Sequence, residues 1–145
     1  MSIRSAEASS RIPSPVRALG NDIRVLRDPT RGGLATTLCE FTEGTELTIE
    51  LEEENIPVDK TTASACDILG LDPLYAANEG KMIAVVSEEK AEEALRLLRS
   101  NKLGEKAAII GEVTTSHPGR VLIKTAFGGT RIATKLAGAQ LPRIC

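Results

Sequence analysis

Arg27-Asp28-Pro29-Thr30-Arg31-Gly32-Gly33-Leu34-Ala35 is the stretch around which the rest of this 145-residue chain is organised. It follows an apolar run, Ile23-Arg24-Val25-Leu26, and leads into a helical pattern that sets Leu34, Leu38 and Phe41 on one face. A carboxylate followed by proline signals a helix start: the first accepts orphan backbone N–H groups and the second has none to satisfy. Asp28 and Pro29 therefore predict a helix over residues 29–42, closed by Gly44. Thr30, Arg31, Gly32 and Gly33 fall in its first turn, where two glycines cost about 1 kcal/mol each relative to alanine. A chain that keeps them needs its backbone to approach something closely, and Arg31 beside bare helix-terminal N–H groups suits an anion. A plain strand-to-helix turn accounts for the same residues equally well. The stretch is not a Walker-type phosphate loop, because the chain lacks the Gly-Lys-Ser/Thr that such a loop requires.

Beyond this turn, helical and strand periods alternate. Leu47, Ile49 and Leu51 alternate with Thr48 and Glu50, which predicts a strand with one wet face and a solvated end at Glu52-Glu53-Glu54. Pro57 and Asp59 open a second helix to residue 69, with Ala63, Cys66 and Leu69 inward and Gly70 closing it. Asp72-Pro73 restarts a short helix that runs into Asn78-Glu79-Gly80. Residues 81–86 and 107–113 read as strands buried on both faces, and residues 88–101 between them as a helix facing inward through Ala91, Ala94, Leu95 and Leu98. That order predicts a crossover unit with parallel pairing, while residues 121–133 predict an antiparallel meander. The fold class is α+β: a mixed β-sheet with covering helices, in a three-layer α/β/α or split-βαβ arrangement. Residues 1–21 read as a lead-in or linker and residues 22–140 as the folded domain. The aperiodic end leaves residues 141–145 as a tail carrying a cysteine.

Apolar residues at 41% and charged residues at 26% suit one soluble globular domain, and a net charge of −2 leaves no footprint for nucleic acid or anionic membrane. No apolar run reaches the length of a membrane span and Met1-Ser2-Ile3-Arg4 does not open a signal peptide, so a cytoplasmic location is expected. Three widely spaced cysteines and one histidine argue against a disulfide framework and against a metal site. Cys39 and Cys66 fall within apolar helical patterns and read as small core residues. His117, in a Ser-His-Pro-Gly turn, reads as an exposed loop residue. Cys145 is the last residue and has no such explanation.

Three landmarks are now in order: Asp28-Pro-Thr-Arg-Gly-Gly33, Asn78-Glu-Gly80 and the terminal Pro142-Arg-Ile-Cys145. Together they resemble the C-terminal half of the HypE family, the carbamoyl dehydratases of nickel–iron hydrogenase maturation. That family shares a superfamily with aminoimidazole ribonucleotide synthetase, selenophosphate synthetase and thiamine-monophosphate kinase. The first two landmarks resemble the superfamily at large, and the Pro-Arg-Ile-Cys ending is similar to HypE in particular. The resemblance covers about residues 23–145 and leaves residues 1–21 outside. It implies a PurM C-terminal-domain-like fold, partly ferredoxin-like. The family's N-terminal domain, which supplies most of the ATP and magnesium site and the dimer interface, is not in this sequence. The chain is therefore expected to be inactive and cofactor-free by itself, and to form its homodimer through that domain.

The resemblance assigns Cys145 as acceptor of a carbamoyl group that ATP-driven dehydration turns into a thiocyanate, whose cyanide becomes an iron ligand. A soft sulfur nucleophile suits this capture better than a hydroxyl. Arg143 is the nearby cation able to offset the terminal carboxylate. Residues 141–145 span up to roughly 17 Å when extended, with Gly138 as a hinge and Pro142 as a stiffener. Glu79, in the polar Asn78-Glu79-Gly80 break, is the candidate base for the amide protons; a helix-terminal side chain bonding to backbone is its other reading. Arg31 and the N–H groups of Gly32 and Gly33 are candidates to hold a developing anion or the tail, with Asp28 and Thr30 ordering the loop. The implied partners are the carbamoyltransferase HypF and the iron scaffold HypC–HypD, with no nucleic acid and no membrane. A sibling ATP-dependent synthetase domain, of selenophosphate or aminoimidazole ribonucleotide type, would leave Cys145 without a role. A non-catalytic module docking a partner peptide in the glycine-rich groove is the reading from a different class.

Overall fold

The computed structural model describes residues 20–136. Its elements in chain order are β1 (Ile23–Arg27), α1 (Gly33–Thr42), β2 (Thr48–Glu52), α2 (Lys60–Leu69), β3 (Ile83–Val86), α3 (Ala91–Arg99), β4 (Gly111–Thr114), β5 (Arg120–Lys124) and β6 (Thr130–Ala133). They fall into two compact units, residues 20–26 with 84–107 and residues 27–83 with 108–136. The expectations for residues 1–19, Gly138, Pro142, Arg143 and Cys145 lie outside the described residues.

The larger unit is built on a four-stranded sheet in the order β4-β2-β5-β6, in which β2 and β5 are parallel and the outer pairs antiparallel. Ile49 and Leu51 alternate inward along β2, opposite Val121 and Ile123 of β5, and Val121 faces Ala133 of β6. These side chains form one core with Ala35 and Leu38 of α1 and with Leu74 and Ile83. Leu51, Val121 and Ile123 are fully buried there, so truncating either Leu51 or Ile123 to alanine should cost about 2–5 kcal/mol. The other face of the sheet is polar: Lys124 Nζ donates to Glu52 Oε1 at 2.9 Å and pairs with Glu50 Oε2 at 3.5 Å. Asp59 caps α2 by accepting from Thr61 N at 3.0 Å, as its sequence position predicts. Gly70 ends that helix in the left-handed region, with Leu71 N donating to Cys66 O at 2.9 Å.

In the smaller unit β1 pairs with β3 in a two-stranded sheet. Ser87 N donates to Asp22 O at 3.0 Å and Ser87 Oγ donates to Asp22 Oδ1 at 3.2 Å, tying the end of β3 to the turn before β1. Helix α3 buries Ala94 and half-buries Ala91, Leu95 and Leu98, the face that its periodicity predicts.

The α+β class and the mixed sheet agree with the sequence, as does the antiparallel β5–β6 pair. The crossover does not: β3 pairs with β1 and β4 pairs with β2, so α3 joins strands of different sheets. The residues expected in a doubly buried strand at 107–113 instead enter an edge strand, β4, whose Val113 is 43% exposed. In β3 only Ile83 is buried, because a two-stranded sheet cannot cover both faces of a strand. Leu69, expected to face inward, is exposed at the last turn of α2, while Ala63 and Cys66 take the covered side.

Candidate functional site

Strand β1 delivers the chain at Arg27, whose guanidinium pairs with Glu40 of α1 at 2.7 Å. Residues 28–30 are irregular, Arg31 and Gly32 form a turn, and α1 begins at Gly33. The helix thus starts four residues later than Pro29. Gly32 (φ 73°) and Gly33 (φ 62°) are both left-handed, so right-handed helix cannot extend back through them toward Pro29. Gly32 is the N-cap and no side chain caps the helix, so the capping role expected of Asp28 is corrected: Asp28 is exposed. Thr30 contributes its carbonyl, which accepts from Gly33 N at 3.3 Å.

The close approach made by Gly33 is to the chain's own backbone. A Cβ on it would stand 2.5 Å from Leu74 O and 2.6 Å from Ala76 O. Two carbonyl oxygens are acceptors and repel an anion, and the Gly33 N–H is already taken by Thr30. Gly33 is therefore removed from the anion cradle that the sequence suggested. Arg31 remains exposed and has no ion pair among the described residues. Beneath Gly32 lies Thr36, whose Oγ1 is buried without a hydrogen-bond partner among the described residues.

The segment that Gly33 presses on is held from both ends. Asp72 Oδ1 accepts from Leu74 N at 2.9 Å and starts a 3-10 turn over Pro73–Tyr75. Its Oδ2 accepts from Arg131 Nη1 at 2.6 Å, while Arg131 Nη2 reaches Glu53 Oε1 at 2.8 Å. Leu74 is buried in the core and Tyr75 packs against it. Two residues beyond Ala76, Asn78 N donates to Pro29 O at 3.1 Å. The two interior motifs of the sequence therefore meet, backbone to backbone. Glu79 and Gly80 follow at the surface, and Glu79 forms no hydrogen bond or ion pair among the described residues. Its alternative reading as a helix-terminal side chain bonded to backbone is not what the structure has. Among the described residues the junction thus presents an unpaired carboxylate at Glu79 and an unpaired guanidinium at Arg31.

Sequence reasoning missed Tyr75, whose phenol oxygen accepts from Thr134 N at 3.1 Å. Its signal was slight: it is the only tyrosine in the chain, three residues before Asn78. Cys66 is buried, as expected. Cys39 is half-buried, and burial raises its thiol pKa above the ordinary 9.0, with Lys135 pulling the other way. A groove of about 490 Å³ lies away from the junction on the polar face of the sheet, lined by Glu50, His117, Arg120, Leu122, Lys124 and their neighbours. Ser116 Oγ donates to Glu50 Oε1 at 2.6 Å, and this bond is the main cause holding the Glu50 carboxyl below its usual pKa. The groove contains none of the predicted site residues and its charges are largely paired within the sheet, so the junction is the better candidate. His117 is exposed, as predicted.

A mixed four-stranded sheet covered by a helix that rises from a double-glycine turn, with an Asn-Glu-Gly break bonded to that turn, defines an α+β domain of the PurM C-terminal class. The chain belongs to the family described as AIR synthase related protein, C-terminal domain, whose model matches residues 11–124. It is similar to carbamoyl dehydratase HypE of Bradyrhizobium diazoefficiens, with 48% identity over 141 residues, 97% of this chain and 41% of that protein. Among solved structures it resembles hydrogenase maturation protein HypE in complex with ATP, at TM-score 0.81 and 46% identity over 90% of this chain and 41% of the other. It also resembles a HypE–HypF complex, at TM-score 0.79 and 43% identity over 84% of this chain and 39% of the other. The expected likeness to HypE is borne out, and its extent is corrected. The family match starts at residue 11, so the lead-in is not wholly outside it. The chain spans about two-fifths of the length of these relatives.

Proposed function

We propose that this chain is the C-terminal part of an ATP-dependent carbamoyl dehydratase that supplies cyanide for the iron of nickel–iron hydrogenases. The observation that carries the reading is the 3.1 Å bond from Asn78 N to Pro29 O. It joins two motifs remote in sequence and sets the exposed Glu79 beside them, in a sequence whose last four residues are Pro-Arg-Ile-Cys. The Cys145 thiolate attacks the carbonyl carbon of a carbamoyl group activated on a donor enzyme of the HypF kind: the S–C bond forms as the bond from that carbon to its activating group breaks, and the activating group leaves with the electron pair. ATP then phosphorylates the amide oxygen of the S-carboxamide. Two N–H protons leave, one to Glu79 and one to solvent, as the C–O bond breaks and phosphate departs. A thiocyanate and ADP remain. Because Glu79 is exposed and makes no hydrogen bond or ion pair among the described residues, it is available there as a base without first losing a partner. ATP and its magnesium are substrates that we assign to the part of the longer relatives which this chain does not span. The remaining assignments are a homodimer formed by that same part, HypC–HypD as cyanide acceptor and the cytoplasm as location.

The test is mass spectrometry of the C-terminal peptide. The chain is joined to the missing part of the Bradyrhizobium relative and supplied with HypF, carbamoyl phosphate, ATP and magnesium. Cys145 should gain the mass of a carbamoyl group and then lose that of water. A Cys145 that stays unmodified in an otherwise folded hybrid would refute the assignment.

A further inference from the structure

Helix α2 is the less covered of the two helices in the larger unit. Of its ten residues Cys66 is buried, Ala63 half-buried and the other eight exposed. Ile68 is 84% exposed and Leu69 68%, and no other two large apolar side chains left exposed among the described residues are neighbours in sequence. The helix is firmly bounded all the same, capped by Asp59 and closed by Gly70. It therefore carries an apolar face that nothing among the described residues covers.

At 3.6 residues per turn, Ala63 and Cys66 share the covered side, and Thr61, Ser64, Ala65 and Ile68 lie opposite it. Lys60 and Asp67 fall together on one flank of the exposed face, Thr62 and Leu69 on the other. Positions 60 and 67, 61 and 68, and 62 and 69 each stand nearly two turns apart, about 10.5 Å along the axis. Lys60 and Asp67 are thus beyond the three- or four-residue spacing at which charges pair along one helix, and neither has an ion pair among the described residues. Pairs at this spacing complement themselves about a two-fold axis that crosses the helix between Ser64 and Ala65. In a second α2 laid antiparallel, Thr61 meets Ile68 of the other copy and Ser64 meets Ala65. Each flank then meets its own kind. Lys60 of either copy lies by Asp67 of the other, and Leu69 of either covers the Thr62 methyl of the other. Small side chains at the centre let the two backbones approach. A parallel pair would set the charged flank against the apolar one and leave both unmatched.

We propose that the exposed face of α2 takes a second copy of this chain, helix against helix and antiparallel about a two-fold axis. The surface uses neither Arg31 nor Glu79, and it stands whether or not the dehydratase reading does. One pair of ten-residue helices falls short of the roughly 1,200 Å² in total that a stable interface buries. Association is therefore weak and reversible, with a dissociation constant on the order of 0.1–1 mM.

Sedimentation velocity of the chain as it stands, from about 0.01 to 2 mM, should show the average sedimentation coefficient climbing toward that of a dimer. Ile68→Glu puts a charge inside the contact and should abolish the climb. Lys60→Glu sets carboxylate against carboxylate, and Asp67→Lys sets ammonium against ammonium; each should weaken association about three- to tenfold. Both substitutions suit the helix dipole, an acid near the N-terminus and a base near the C-terminus, so neither loosens α2. Unchanged urea midpoints check that. An equimolar mixture of the two singly substituted chains places opposite charges together at both sites and should regain the parent's association, as should the chain carrying both substitutions. A parent still monomeric at about 2 mM overturns the proposal. So does association that Ile68→Glu leaves unmoved, since another face would then join the copies. Single variants whose mixture stays dissociated overturn the antiparallel pairing, and the proposal with it. If the parent stays monomeric while Ile68→Glu loosens α2 from the joined part of the hybrid, the face belongs to that part and the second copy is refuted.

Discussion

Gly33→Ala asks directly why the turn before α1 carries a second glycine. Gly33 has φ +62°, where an L side chain costs about 1–2 kcal/mol. Its added Cβ would stand 2.5 Å from Leu74 O, 2.6 Å from Ala76 O and 2.9 Å from Tyr75 C. All three are backbone atoms, so relief requires the turn over Pro73–Tyr75 to shift. Buried Leu74 moves with it, and the Asn78–Pro29 bond, worth about 0.5–1.5 kcal/mol, is stretched or lost. These two parts come to about 1.5–3.5 kcal/mol before the shift of Leu74 is counted, a large part of the roughly 5–15 kcal/mol that a domain of this size holds. Gly70→Ala is the internal control: φ there is +66° and nothing lies within 4 Å of its Cβ. It should cost only the conformational part, about 1–2 kcal/mol. Urea denaturation of both variants, followed by far-ultraviolet circular dichroism at constant slope, measures the difference. If the two midpoints shift equally, the contact between the glycine turn and the Leu74–Ala76 backbone does not fix that glycine. The double glycine would then owe nothing to the Leu74–Ala76 segment.

Glu79→Gln in the hybrid enzyme should leave carbamoylation of Cys145 intact and slow dehydration by about 100-fold or more, whereas an unchanged rate would make Glu79 a surface residue of no consequence. Removing residues 141–145 should abolish carbamoyl acceptance and leave the urea midpoint where it was; a loss of several kcal/mol would place those residues in the core. Cys39 binds its proton more tightly folded than unfolded, since burial raises its pKa above 9.0, so its contribution is intact below pH 9 and stability should fall as pH rises beyond it. A Cys39→Ser variant should lose that alkaline slope, and urea midpoints measured on both sides of pH 9 check the point.

The parts of this fold that sequence made legible are those carried by side-chain period and local capping. Ile49 and Leu51 alternate with Glu50, so one face of β2 had to be buried whatever it paired with. Asp59 and Gly70 bracket α2 because each acts within a few residues of itself. Pairing was not legible in the same way. Sequence adjacency put residues 81–86 and 107–113 on either side of a helix, but β3 went to β1 and β4 to β2. Edge and centre differ by what lies alongside, which residue type reports poorly. Asp28 failed as a cap for a related reason. The local signal was sound, but Gly32 and Gly33 took left-handed conformations and moved the helix start beyond its reach.

The site shows the same division. Both interior motifs could be read, yet their meeting is made by groups common to every residue: an N–H at position 78 and carbonyls at positions 29, 74 and 76. A glycine announces only that something comes close, and here the partner lies some forty residues downstream. This changes how the double glycine is understood. If Gly33 existed to receive an anion, its loss would be felt in binding and hardly in stability. Because it receives Leu74 and Ala76, stability falls first, and function follows through the displacement of the segment that ends in Asn78 and Glu79.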